Sequence, residues 1–68
     1  MLAHQSRMID ELRILDDRIQ KLRSFINSNE IFNTLDPNEQ QDQKDQLNAM
    51  EIYSDKLTSR CKRANILK

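Results

Sequence analysis

Leu35-Asp36-Pro37-Asn38-Glu39 fixes where one long helix must begin. Asp36 suits the N-cap, because its carboxylate accepts from the orphan amides of the first turn. Pro37 follows at the first helical position, where its missing N–H costs nothing and its φ is already set. Glu39 stands three residues beyond the cap, spaced to reach back to the Asp36 amide as in a capping box. With helical periodicity on both sides, this signal predicts an all-α chain. The expected fold is an antiparallel two-helix hairpin with a short apolar helical turn at its corner.

The first helix is expected over about 3–27. Met8, Leu12, Leu15, Ile19, Leu22 and Ile26 recur at alternating spacings of four and three, which makes one apolar seam. Asp17 and Lys21 stand four apart in the favourable order. Asn27-Ser28-Asn29 then ends the helix, with Asn able to take a left-handed cap. The corner, 28–36, carries Ile31, Phe32 and Leu35, which are too apolar to sit in water together. They are expected to fold onto Leu22, Phe25 and Ile26, because the second helix opens with Asn38–Gln46, a run without an apolar side chain.

The second helix is expected over about 37–67. Its seam is Leu47, Met50, Tyr53 or Ser54, Leu57, Cys61 and Ala64. A bend near Asn33 would place Ile19 near Leu47, Leu12 near Tyr53 or Ser54, and Met8 near Leu57. The whole chain, 68 residues, is one domain below the size at which a single core is comfortably stable. Ile9, Ile14, Ile52 and Ile66 fall off the seams. Self-association accounts most simply for them, so a homo-oligomer forming a helical bundle is expected.

Composition removes several function classes. The chain has no Gly, so phosphate-cradling glycine loops and dinucleotide fingerprints are excluded. Formal charge is zero, from 11 basic and 11 acidic residues, which argues against general nucleic-acid binding. Apolar runs are too short for a membrane span or a signal peptide. Cys61 is the only cysteine, so it forms no intrachain disulfide; it falls on the seam and is expected to be a buried small hydrophobe. Adjacent carboxylates such as Asp16-Asp17 diverge on a helix, and a two-helix hairpin offers no concave interior to shift their pKa values. The expectation is a protein that is not an enzyme, with no metal and no cofactor.

Zero net charge conceals a gradient along the second helix. Asp36–Asp55 holds six acids and one base, Lys44, whereas 56–68 holds five bases and no acid. Complementation of the helix dipole is one reading, at about 0.3–1 kcal/mol per charge. The other is functional. Antiparallel helices would gather His4, Arg7, Arg60, Lys62 and Arg63 at one pole, with Tyr53 a turn or two deeper. Guanidinium forks beside an aromatic face suit a phosphorylated, base-containing small ligand, although an acidic protein surface would serve as well. The candidate ligand-binding residues are therefore His4, Arg7, Tyr53, Arg60 and Arg63.

Taken as a pattern, the chain runs His4-Gln5-x-Arg7-x-Ile9-x-Glu11, then Leu12, Leu15, Ile19, Leu22, Phe25-Ile26, Phe32, Leu35, Glu39, Gln46, Met50, Tyr53, Leu57 and Arg60. This resembles a family of very short proteins of tailed phages and prophages, related to a small crAss-like phage protein. The chain departs from that pattern where relatives carry an aliphatic residue after Arg60 and another before Gln46. Here those places hold Cys61 and the polar run Asp42–Asp45. The resemblance implies a phage accessory protein acting in the bacterial host cytoplasm. By fold-level analogy with phage sponges of similar size, it implies counter-defence by sequestering a cyclic nucleotide or cyclic ADP-ribose signal. The alternative is an inhibitor or adaptor whose amphipathic hairpin binds a host defence protein.

Overall fold

The computed structural model describes residues 2–28 and 30–64. Three helices follow one another: α1 (Ala3–Ser28), α2 (Glu30–Asn33) and α3 (Pro37–Arg63). No strand occurs among the described residues. The first helix ends one residue beyond the expected boundary, and α2 is the single helical turn expected at the corner. The proposed cap at Asn29 and the stretch 65–68, including Ile66, lie outside the described residues.

α3 starts where its capping chemistry dictates. The Asp36 side chain accepts from the Asn38 amide at 3.0 Å, with Pro37 beside it in the first turn. The reciprocal half of the capping box is not made. Glu39 Oε1 instead accepts from Gln43 Nε2 at 3.2 Å, and Gln40 Nε2 reaches back to the Leu35 carbonyl at 3.0 Å. Glutamine one turn further on thus competes with the cap amide for the Glu39 carboxylate.

α1 packs along α3, giving a molecule of 46 × 18 × 15 Å. Leu12, Leu57 and Cys61 form a buried cluster with Met8 against it, while Arg23, late in α1, meets Glu51 earlier in α3. The two helices therefore run in opposite senses. Their register agrees with the one expected only in part. Met8 packs against the cluster that holds Leu57, as expected, whereas Leu12 packs with Leu57 and Cys61, about a turn or more beyond Tyr53 and Ser54, and Ile19 shares a groove with Glu51 and Ser54, a turn or more beyond Leu47. Side chains lean toward the N-terminus of their own helix, so each spot is covered by a residue about one position further along. In antiparallel helices the two displacements add.

The corner also needs one correction. Phe32 is buried and meets Phe25 edge to face, with centroids 5.9 Å apart, and Leu35 is half-buried. Ile31, however, is 63% exposed. A single helical turn points adjacent residues about 100° apart, so only one of Ile31 and Phe32 can face α1.

The α3 seam extends further than its apolar residues. Gln40 and Gln43 continue the three-four spacing of Leu47, Met50, Ser54, Leu57 and Cys61, and both are half-buried. Gln43 Oε1 is buried without a hydrogen-bond partner. A buried unsatisfied carbonyl costs about 1–3 kcal/mol. Gln43→Leu is therefore expected to stabilise the chain by about 1 kcal/mol, raising Tm by about 4–8 °C for a domain of this size. An unchanged or lower midpoint in a thermal melt followed by circular dichroism would count against this account of the polar seam.

Candidate functional site

The open end of the molecule is built by the Met8, Leu12, Leu57 and Cys61 contact, which sets the first turns of α1 beside the last turns of α3. His4, Arg7, Arg60 and Arg63 all belong to those turns, and all four are exposed. Arg60, Lys62 and Arg63 occupy the last turn of α3, where they also complement the carbonyl end of the helix.

The five candidate residues are not equivalent. Arg7 and Tyr53 line one shallow concavity of about 420 Å³, together with Asp10, Glu11, Ile14, Leu15 and Arg18. Arg60 lies outside that lining, two turns beyond Tyr53 on α3, yet near enough for its charge to act on the phenol. His4 and Arg63 do not line the concavity. Ile14, Leu15 and Arg18 were not among the sequence candidates. Their signal was a second stripe, Arg7-Glu11-Ile14-Arg18, at spacings of four, three and four beside the seam of α1.

Tyr53 is 42% exposed at the seam edge, and its hydroxyl donates to Glu11 Oε1. Ser54, its neighbour, donates from Oγ to Asp16 Oδ1 at 2.8 Å on the opposite flank. The pair thus grips α1 from both sides. Arg23 Nη2 to Glu51 Oε1, at 2.8 Å, adds a third tie, but with both side chains largely in water it contributes less than about 1 kcal/mol. The expected Asp17–Lys21 pair is present at 2.8 Å.

The hydrogen bond to Glu11 holds the Tyr53 phenol protonated and pushes its pKa up; partial desolvation and the Glu11 charge add to this, and Arg60 opposes it. A raised folded pKa means the bond's contribution is complete below the ordinary phenol range, near pH ~10, and fades as pH rises through the raised value. Tyr53 is the sole tyrosine, so tyrosinate absorbance reports it alone. The titration midpoint is expected above that of a free tyrosine; Glu11→Gln should lower it and Arg60→Ala should raise it. A midpoint unmoved by Glu11→Gln would contradict the assignment.

Among the described residues, no group of three or more His, Cys, Asp or Glu side chains is arranged to hold a metal ion. No described helix is long and apolar enough to cross a membrane. Cys61 is fully buried. A model of the family described as Sequestin matches residues 2–63. No curated protein and no solved structure matches the chain.

Proposed function

Because the chain belongs to the Sequestin family, a name that denotes sequestering, we propose that it holds a small molecule out of circulation and acts without catalysis. The ligand is a phosphorylated, base-containing signal of the cyclic nucleotide or cyclic ADP-ribose class. The setting is the cytoplasm of a bacterial host, where a phage-encoded antiparallel hairpin, acting as an oligomer, would withdraw an immune signal.

The observation that carries this reading is the meeting of Arg7 and Tyr53 on one concavity, with Arg60 close enough to influence the phenol. A guanidinium fork takes phosphate oxygens bidentately. An exposed aromatic face accepts a base by stacking, worth about 1–3 kcal/mol. His4 and Arg63, at the same end of the molecule, would serve a ligand longer than the concavity. The Glu11 bond keeps the Tyr53 phenol protonated, which suits capture more than turnover.

Titration calorimetry with cyclic dinucleotides, cyclic trinucleotides and cyclic ADP-ribose isomers tests it. Tight binding to at least one is expected, and the ligand should be recovered chemically unchanged. Arg7→Ala and Arg60→Ala should each weaken binding by about tenfold or more, as expected for a charge-assisted bond of about 1.5–3 kcal/mol, while the helical circular dichroism signal stays intact. Silence across the whole panel would remove the reading. Exposed Ile14 and Ile52 favour the second reading, an inhibitor that docks on a host defence protein. Retention of one stoichiometric host protein at moderate salt, with no nucleotide bound, would select it.

A further inference from the structure

The concavity that holds Arg7 and Tyr53 is not charged as a phosphate site alone would be. Arg7 and Arg18 in its lining are balanced by Asp10 and Glu11. A carboxylate repels the phosphate that a guanidinium attracts, so an acid in the lining favours a neutral donor instead. Glu11 is the better placed of the two acids. It stands four residues after Arg7 on one face of α1, the less favourable order for pairing, and forms no ion pair with it. Its Oε1 accepts from the Tyr53 hydroxyl. A carboxylate accepts at about four lone-pair positions, so Oε2 remains open to donors from outside the chain.

The order of groups along α1 says which donors these are. Ile14, Leu15 and the Tyr53 ring make the apolar part of the concavity. Glu11 lies four residues before Leu15, and Arg7 four before that, each step about 6 Å along the helix axis. A nucleotide carries its groups in the same order, with the sugar between base and phosphate. Started from Arg18 the order fails, because Arg18 adjoins the apolar part directly and leaves no acceptor in between.

From this juxtaposition we infer that Glu11 is the sugar-reading residue of the concavity. It accepts from the ribose hydroxyls of a nucleotide whose base lies on Tyr53 and whose 5′-phosphate meets Arg7. The inference rests on the nucleotide reading above and narrows it: the captured nucleotide carries free ribose hydroxyls, and deoxyribonucleotides are rejected. Rejection follows from what a missing hydroxyl leaves behind. The ligand strips water from the carboxylate and offers no donor in its place. The phenol orients the carboxylate, and the carboxylate reads the sugar.

Adenosine 5′-phosphate, its 2′-deoxy form and its 2′,3′-dideoxy form are the probes. Amide chemical shifts of the isotope-labelled chain register their binding up to millimolar concentrations. Adenosine 5′-phosphate is expected to bind about tenfold or more tightly than the 2′-deoxy form, as for one hydrogen bond to a charged group, and the dideoxy form more weakly still. Glu11→Ala should remove that preference by weakening only the ribonucleotide, with the helical signal retained. Tyr53→Phe, which keeps ring and carboxylate but not their bond, should keep a preference for ribose. Equal affinity for ribose and deoxyribose overturns the inference, as does a preference that survives Glu11→Ala. So does a choice of guanosine 5′-phosphate over the adenosine form whatever the sugar, since the carboxylate would then read the base edge. Each of these outcomes leaves nucleotide capture standing. No shift with any probe also overturns the inference. A ribose preference that depends on Glu11, in a chain that binds no cyclic ligand by calorimetry, would instead sink the sponge reading alone.

Discussion

Leu57→Ala is expected to leave the chain largely unfolded at room temperature. Leu57 is fully buried and joins Leu12 and Cys61 in the cluster that closes the open end of the molecule. Truncating a buried leucine costs about 2–5 kcal/mol, because transfer energy is lost and the cavity collapses only in part. A single core in a chain of this size supplies no more than about 3–5 kcal/mol. The loss and the reserve are therefore of the same magnitude. Far-ultraviolet circular dichroism should show most of the helical signal gone, since isolated helices of this length are marginal in water. Leu57→Met, which conserves volume, should cost less than about 1.5 kcal/mol and keep the fold. A Leu57→Ala protein that melts within a few degrees of the parent would mean the cluster is not what joins α1 to α3.

The second large effect is expected at the opposite end. Phe32→Ala should cost about 3–5 kcal/mol, the range for a buried aromatic. It loses the burial of a side chain only 4% exposed and the edge-to-face contact with Phe25, itself worth about 0.5–1.5 kcal/mol. Phe32 is also the one buried residue of α2, so its removal leaves the corner turn unanchored over the half of α1 that polar α3 residues cannot cover. Ile52→Ala, on an exposed back face, is the control and should fall within about 0.5 kcal/mol of the parent. Equal losses for Phe32→Ala and Ile52→Ala in a denaturant titration would show that the corner is not anchored by the aromatic pair.

Helix starts and seams were legible in the sequence because they depend on local rules. Asp36-Pro37 names its own helix start, and the three-four spacing of Leu12, Ile19, Leu57 and Cys61 names the residues that are buried. The register was less legible. It depends on how far side chains lean along each helix axis, and residue spacing alone does not carry that displacement. Ile31 and Phe32 are equally apolar, and the choice between them was made by the orientation of a single turn. Gln40 and Gln43 are polar, so hydropathy does not mark them as seam residues, although their phase puts them there. Of the candidate site, the electrostatic part could be read from the bases near Arg60. The concavity could not, because it lies where the Arg7 to Arg18 stripe of one helix meets a single aromatic of the other.

The aromatic contact of the corner and the aliphatic cluster of the open end differ sharply in chain separation. Phe25 and Phe32 are near neighbours in sequence, so closing their loop forfeits little chain entropy, whereas Leu12 and Leu57 span most of the molecule. Assembly should therefore begin at the corner and zip outward, and the last turns to join should be the first to part. The arginines of the proposed site ride on those turns. Any ligand that ties Arg7 to Arg60 would act as a clasp on the fraying end, and its capture would register as slowed amide exchange throughout the outer half of both long helices.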